Sequence, residues 1–397
     1  MERALSSSPG QASLPLRILM SAGVPRKREG GVAAIIYNLG RELERRGHAV
    51  TYVFQEDLLD SKKYPARFQE LVFSMRLAQY IAQNRDRFSV VNLHAPSGFW
   101  YGLRRRWFGS PKDPPYVMTL HGLEERRIRV MTREARKNRA WNFNFKNRLW
   151  HCFYIFPRFR CSIRTADGAH AYSRDVWNYL QLYYNLDAER AVYIPNGVES
   201  RFVLPRRYDN PGPLKLLYAG TWLDQRGIFY LREALERLSQ QLPGLTMTFA
   251  GCGCPAEVIQ DFFGPKLAAN VLVSPVVPAG NMQELYASHD IFLFPSLMEG
   301  LPSVLLEAMA SGMSVITAET CGMPDVVEDG FNGLLVPPAD ASAIEYAVLK
   351  LAVSPELRQR LGEQAQQTMA RYTWERSAHK LEKLFQDVIA LESAKTK

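Results

Sequence analysis

The chain of 397 residues is poor in cysteine, and several signatures of other protein classes are missing from it. Its five cysteines, Cys152, Cys161, Cys252, Cys254 and Cys321, are odd in number and form no C-x-x-C pair. That argues against a disulfide framework or a structural zinc site and for a reducing compartment. Cys252-Gly253-Cys254 reads as small residues in a tight turn rather than a metal site. No uninterrupted apolar stretch reaches the roughly 18 residues of a membrane-spanning helix. The richest, residues 300–318, is broken by Glu307 and Gly312. The first fifteen residues are polar, so no leader peptide is expected and a cytoplasmic location is. A G-x-G-x-x-G fingerprint is also missing. Neither Ser21-Ala22-Gly23-Val24-Pro25 nor Gly251-Cys252-Gly253-Cys254-Pro255 supplies one, which weighs against a nicotinamide oxidoreductase. Low-complexity tracts and short repeats are absent from the sequence.

What is present is a globular composition, 47% hydrophobic and 22% charged, in a chain long enough for two α/β domains. The net charge of +9 is uneven. Residues 1–205 hold 33 Lys and Arg against 18 Asp and Glu, whereas the remainder holds 16 against 22, so the halves are expected to meet different partners. Short apolar runs at 16–21, 49–54, 89–93, 116–120, 169–172 and 192–194 read as strands. The first helix begins after Gly30-Gly31, carries Val32, Ile35, Ile36, Leu39 and Leu43 on one face, and stops at Gly47. Strand, glycine turn, helix, strand is a βαβ unit and implies a parallel sheet. A linker-like stretch rich in proline and glycine, 201–213, interrupts the rhythm. It then restarts with strands at 214–219, 246–250, 271–274, 291–294, 314–317 and 333–336. The reading is a Rossmann-like domain at 1–200, a linker at 201–213, a second such domain at 214–372, and a terminal helix at 373–397. Ligands are expected in the crevice at the carboxyl ends of the strands.

The richest local signal runs from Phe294 to Gly312. A strand enters a Glu299-Gly300-Leu301-Pro302 turn, and the turn opens a short helix. Pro302 suits the first helical position, where its missing N–H costs nothing. The amides around Gly300, Leu301 and Ser303 then face outward at the positive end of the helix dipole, a site suited to a diphosphate. Glu307 can accept two hydrogen bonds from a ribose diol. Glu299 lies nearer the phosphate end, where a sugar would sit.

These residues resemble the E-x7-E element of the retaining glycosyltransferases of family 4, which have the GT-B fold: α/β, with two Rossmann-like doubly wound parallel-sheet domains facing a cleft. Four further segments match in kind and order: the Gly30-Gly31 loop, Ile194-Pro195-Asn196-Gly197-Val198-Glu199, Asp325 through Gly333, and Tyr372-Thr373-Trp374-Glu375. The resemblance covers nearly the whole chain. It implies a hexosyltransferase that moves a sugar from a nucleoside-diphosphate sugar to a glycan or lipid-linked acceptor, with no metal or other cofactor. No D-x-D metal motif is present, in keeping with that. His121, Glu299 and Arg226 are the implied catalytic residues. The donor is implied to contact Gly30, Gly31, Gly220, Thr221, Arg226, Gly251, Gly300, Leu301, Pro302, Ser303 and Glu307, and the base to pack near Gly251 and 276–280. The family pattern has an arginine where this chain has Thr221 and a lysine where it has Arg226, so the phosphate clamp is short of one cation. His121 closes the strand 116–120 and is implied to touch the donor sugar. Asn196 serves either a hinge turn or the cleft. A non-catalytic binding protein on the same fold remains the alternative, and a phosphorylase with pyridoxal phosphate lacks both the length and a suitable lysine.

Residues 101–164 carry 16 Lys and Arg against four acids, interleaved with aromatics. Arg104, Arg105, Arg106 and Trp107 lead this segment as candidates for a membrane or acceptor surface. Four readings fit: an anionic membrane face, an acidic soluble acceptor, a packed helical pair, and, least favoured, nucleic acid, which is not expected as a partner.

Overall fold

The computed structural model describes residues 14–395, apart from 29, 142, 188, 209–211 and 279. Parts of three expectations therefore lie outside the described residues: the polar N-terminus, the middle of the linker, and position 279 in the segment assigned to the base. Among the described residues, twelve strands form two wholly parallel six-stranded sheets. The first contains β1 (Arg17–Ser21), β2 (Ala49–Val53), β3 (Val90–His94), β4 (Tyr116–Leu120), β5 (Gly168–Ala171) and β6 (Ala191–Tyr193), in the order β2-β1-β3-β4-β5-β6. The second contains β7 (Lys215–Ala219), β8 (Thr246–Ala250), β9 (Val271–Ser274), β10 (Ile291–Phe294), β11 (Ser314–Ala318) and β12 (Leu334–Val336), in the order β12-β11-β10-β7-β8-β9. All twelve strands lie within one residue of the apolar runs in the sequence.

The strand sequences explain this layout. A parallel sheet is covered by helices on both faces, so its central strands are apolar without alternation. β4 and β11 are buried at every position. Each sheet changes winding direction once, between β1 and β3 and between β7 and β10, and such switch points open a crevice at the carboxyl ends of the strands. The helix Gly31–Arg45 starts at that edge and buries Ile35, Ile36, Leu39 and Leu43, with Val32 at the margin.

The chain crosses between the sheets twice. After β6 it passes to the second sheet, and near residue 372 it returns. The returning helix, Trp374–Lys395, packs on Gly31–Arg45, where Arg46 pairs with Glu382 at 2.5 Å. The two crossings touch: the Val198 amide donates to the Tyr372 carbonyl at 2.8 Å, and the Ser377 hydroxyl donates to the Pro195 carbonyl at 2.8 Å.

Candidate active site

The crevice between the sheets brings together side chains from five segments. On the first sheet, His94, His121 and His170 stand at or beside the carboxyl ends of β3, β4 and β5. His94 Nδ1 lies 2.6 Å from His121 Nε2, and the Tyr172 ring stacks on His121 at 4.8 Å. His170 Nε2 lies 2.9 Å from the Ile194 carbonyl, so that nitrogen carries the proton, and the Thr119 hydroxyl lies 3.3 Å from His170 Nδ1. Burial pushes His121 down to about 3, with His170 adding to the shift, and His170 to about 4. His94 is held well below its usual value by burial and by the other two rings. All three are therefore neutral at pH 7, and each ring has one donor and one acceptor nitrogen. The buried His94 Nε2 has no partner among the described residues. A buried orphan donor is the rarer and costlier state, which assigns the proton to His94 Nδ1. His94 then donates to His121 Nε2, and His121 offers an Nδ1–H to the crevice.

On the second sheet, the turn after β10 leads to the helix Ser303–Ala310. Pro302 sits at the N-cap with extended backbone, one position ahead of the expected first helical residue. The correction leaves its role intact, since it still precedes a helix whose first amides lack carbonyl partners within it. Two contacts join this turn to the first sheet. The Asn196 amide donates to the Leu301 carbonyl at 2.9 Å, so Asn196 holds the turn from across the crevice. A Cβ on Gly300 would lie 2.0 Å from the His121 carbonyl, so only glycine lets the two backbones meet.

Glu307 lies on the inner face of the helix, half-buried. The Tyr286 hydroxyl donates to its Oε2 at 2.9 Å. Burial pushes its carboxyl up to about 7, while the Tyr286 hydrogen bond and the Arg201 charge act in the opposite sense. Arg226 and Glu299, proposed from the sequence for separate tasks, form an ion pair with each other. The Arg226 guanidinium also lies 5.3 Å from the Phe294 ring centre, and burial lowers its pKa. Gly227, directly after it, has φ 76°, and a Cβ there would lie 2.1 Å from the Pro295 carbonyl. Thr221 is exposed, and Gly220 takes φ 135°. Gly30, Gly31 and Gly251 have φ of 72°, 68° and 65°, with open space where a Cβ would stand. All these residues lie at the strand ends that face the crevice.

Several buried polar atoms around the crevice lack hydrogen-bond partners among the described residues. They include Trp222 Nε1, Asp224 Oδ2, Asn196 Oδ1 and the Tyr172 hydroxyl. Other buried polar atoms without such partners, among them those of Glu70, Asp113 and Arg206, lie elsewhere in the chain. The sequence reading missed His94, His170, Tyr172, Tyr286 and Trp222. The only local signal for the first three was their position at strand ends.

The basic segment divides once its partners are seen. Arg104 pairs with buried Asp113 at 3.1 Å, and Arg105 pairs with Asp167 and, at 2.7 Å, with Glu392 of the final helix. Both are held in ion pairs with carboxylates of the chain itself. Arg106 and Trp107 remain free, Trp107 being 69% exposed. They border a groove of about 690 Å³ between the helices Phe99–Phe108 and Phe156–Thr165, whose walls include Leu103, Phe156, Arg160 and Arg164. Among the described residues, Arg106, Arg160 and Arg164 have no carboxylate at ion-pair distance. A π-helical turn, His151–Ile155, precedes the second of these helices, with Phe153 77% exposed.

Comparison with known proteins agrees with this geometry. The profile described as Glycosyltransferase Family 4 matches residues 29–202, and that of Glycosyl transferases group 1 matches residues 205–368. An uncharacterized glycosyltransferase of Methanocaldococcus jannaschii, MJ1178, is 22% identical over 90% of this chain and 95% of its own length. The amylovoran biosynthesis glycosyltransferase AmsK of Erwinia amylovora is 29% identical over 45% of this chain and 46% of its own, so that match takes in less than half of the relative. Among solved structures, the sucrose-phosphate synthase of Thermosynechococcus elongatus superposes with a TM-score of 0.75 at 19% identity, over 94% of this chain and 99% of that one. The catalytic domain of starch synthase IV from Arabidopsis thaliana, solved with ADP and acarbose, gives 0.69 at 15% identity over 95% and 100%. Two doubly wound sheets, the facing turns between them and two family profiles in tandem lead to one conclusion: the chain belongs to glycosyltransferase family 4 and has the GT-B fold.

Proposed function

We propose that this protein is a metal-independent, retaining hexosyltransferase. Its donor is a nucleoside-diphosphate sugar, and its acceptor is a lipid-linked or polysaccharide intermediate of the cell envelope. The observation that carries this reading is the meeting of His121 with the Glu299–Ser303 turn across the crevice, flanked by Arg226 on one side and Glu307 on the other. In this assignment Glu307 takes the ribose diol and the helix amides take the diphosphate. Arg226 turns from Glu299 toward the phosphate oxygens as negative charge builds on them. The neutral His121 donates from Nδ1 to a sugar hydroxyl. The acceptor hydroxyl attacks the anomeric carbon from the face the phosphate leaves. The bond from that carbon to the phosphate oxygen breaks, the bond to the acceptor oxygen forms, and the departing phosphate takes the acceptor proton. Positioning and charge stabilisation supply the rate, and no protein nucleophile is required.

The name of the Erwinia relative, which places it in amylovoran biosynthesis, supports an envelope polysaccharide as the acceptor. The exposed cations Arg106 and Arg164, with half-buried Arg160 and exposed Trp107 beside them, support peripheral contact with the anionic inner face of a membrane. No helix among the described residues is long and apolar enough to cross a membrane.

A thermal-shift panel with UDP, GDP, ADP, dTDP and NAD, each with magnesium and with EDTA, tests the reading. One nucleoside diphosphate should stabilise the protein equally in both conditions, by about 2.7 kcal/mol at a hundredfold excess over its dissociation constant. Proton NMR of the product should then show the donor's anomeric configuration. A response to NAD alone, a strict magnesium requirement or an inverted product overturns it.

A further inference from the structure

Beyond the helix Glu124–Arg136, the chain of the first domain leaves its own sheet and lies against the second domain. The Tyr230 hydroxyl donates to Glu134 Oε2 at 2.6 Å, and Lys137 donates to the Tyr230 hydroxyl at 3.1 Å. The Arg139 guanidinium stands 4.4 Å from the Tyr230 ring centre and pairs with Glu233. Trp141 ends this strap. Its ring centre lies 5.2 Å from Phe229, 5.4 Å from Phe262 and 6.2 Å from Trp222.

The strap grips one particular element. Phe229, Tyr230 and Glu233 belong to the helix Ile228–Gln241, which starts straight after Arg226-Gly227. Trp222 lies inside the loop itself, between Thr221 and Arg226. The far side of the loop is tied to its own domain, where the Leu297 amide and the Ser296 hydroxyl both donate to the Gln225 carbonyl, at 2.9 and 3.3 Å. On its near side Trp222 packs on Phe249, Phe262 and Phe263 of its own domain, at 5.6, 5.4 and 6.2 Å between ring centres, and Trp141 adds a ring from the other domain. The Trp222 amide donates to the Cys252 carbonyl at 3.0 Å, while its Nε1 has no partner among the described residues, so the indole itself, 8% exposed, is held by ring packing.

We propose that Trp141 is a positioning residue for the donor. By packing on Trp222 it completes the ring cluster that seats the loop carrying Thr221 and Arg226, and it does so only when the two domains meet. Closure of the crevice and assembly of the phosphate clamp are then one event. This rests on the reading of Arg226 as a donor contact.

The test compares Trp141→Ala and Trp141→Phe in the full-length protein. Readouts are the dissociation constant of the nucleoside diphosphate picked out by the thermal-shift panel, KM for donor and for acceptor, and the melting temperature without ligand. Aromatic pairs of this kind are worth enough that Trp141→Ala should weaken the diphosphate and raise the donor KM by about tenfold. The acceptor KM should stay within about twofold, and Trp141→Phe should restore most of the loss. Trp141 is 44% exposed, so the unliganded melting temperature should barely move. A purely structural tryptophan would do the reverse, lowering the melting temperature and leaving the donor KM unchanged, and that result overturns the proposal. Should Trp141→Ala not fold, Arg139→Gln, which loosens the same strap, is read by the same constants: an unchanged diphosphate affinity there also overturns it. A wild-type protein that binds no nucleoside diphosphate refutes the donor assignment instead, which keeps the two failures apart.

Discussion

Glu307 offers a sharp test of the donor site because its carboxyl is pushed up to about 7 by burial. An ordinary glutamate titrates near 4.5. The fold thus favours the protonated form. That stabilisation is complete below pH 4.5 and is lost as pH rises to about 7. At about 1.4 kcal/mol per pH unit, the difference amounts to about 3 kcal/mol. A ribose diol donates hydrogen bonds and needs the carboxylate as acceptor. Ligand and proton therefore compete, and binding must strengthen as pH rises through 7. If only the ionised form binds, the dissociation constant of the nucleoside diphosphate should be about tenfold weaker at pH 6 than at pH 8. The terminal phosphate of the ligand also titrates near pH 6, so the Glu307→Gln protein supplies the baseline. Titration calorimetry at both pH values should show the extra tenfold change in the wild type and none in the variant. At pH 8 the variant should also bind more weakly by about 1.5–3 kcal/mol. Equal pH ratios in the two proteins would remove Glu307 from the ribose role, whatever the absolute affinities.

Arg226→Gln should weaken the nucleoside diphosphate by about 1.5–3 kcal/mol, since it removes a cation and leaves Glu299 unpaired beside the phosphates. Undiminished affinity in calorimetry would show that Arg226 serves only Glu299. Replacing Arg106, Arg160 and Arg164 together by Ser should abolish co-sedimentation with vesicles of phosphatidylcholine containing phosphatidylglycerol, at about 1 kcal/mol per residue, without changing diphosphate binding. Unchanged sedimentation would remove the membrane face from the proposal.

The strands and the first helix were legible because each is a local pattern: an apolar run of three to six residues, a glycine turn, a 3.6-residue period. The Glu299–Glu307 segment was legible for the same reason, since strand, turn and helix follow within nineteen residues. What escaped was pairing across the chain. Arg226 and Glu299 lie in different loops, and their charges, taken singly, gave no sign that each neutralises the other. Arg104, Arg105 and Arg106 are consecutive and alike in sequence. Asp167 and Glu392, at separations of 62 and 287 residues, divide structural cations from free ones. His94 reaches His121 only because β3 and β4 are neighbours in the sheet. The one-residue offset at Pro302 arises because the φ that proline fixes, here −72°, fits an extended N-cap as well as a first helical residue.

The paired crossings near Val198 and Tyr372 have a mechanical consequence. A domain tethered by one linker pivots about a point and can tilt or spin in any direction. Here the entry and exit segments are bonded to each other, so any swing of the second domain would be confined as a door's is by two adjacent pins. Little clearance remains at those pins, because a single methyl group on Gly197 would stand 2.3 Å from the Trp374 amide nitrogen. A closing motion on such a mounting would follow one arc. It would bring the Glu299–Ser303 turn back to His121 at the same place each time.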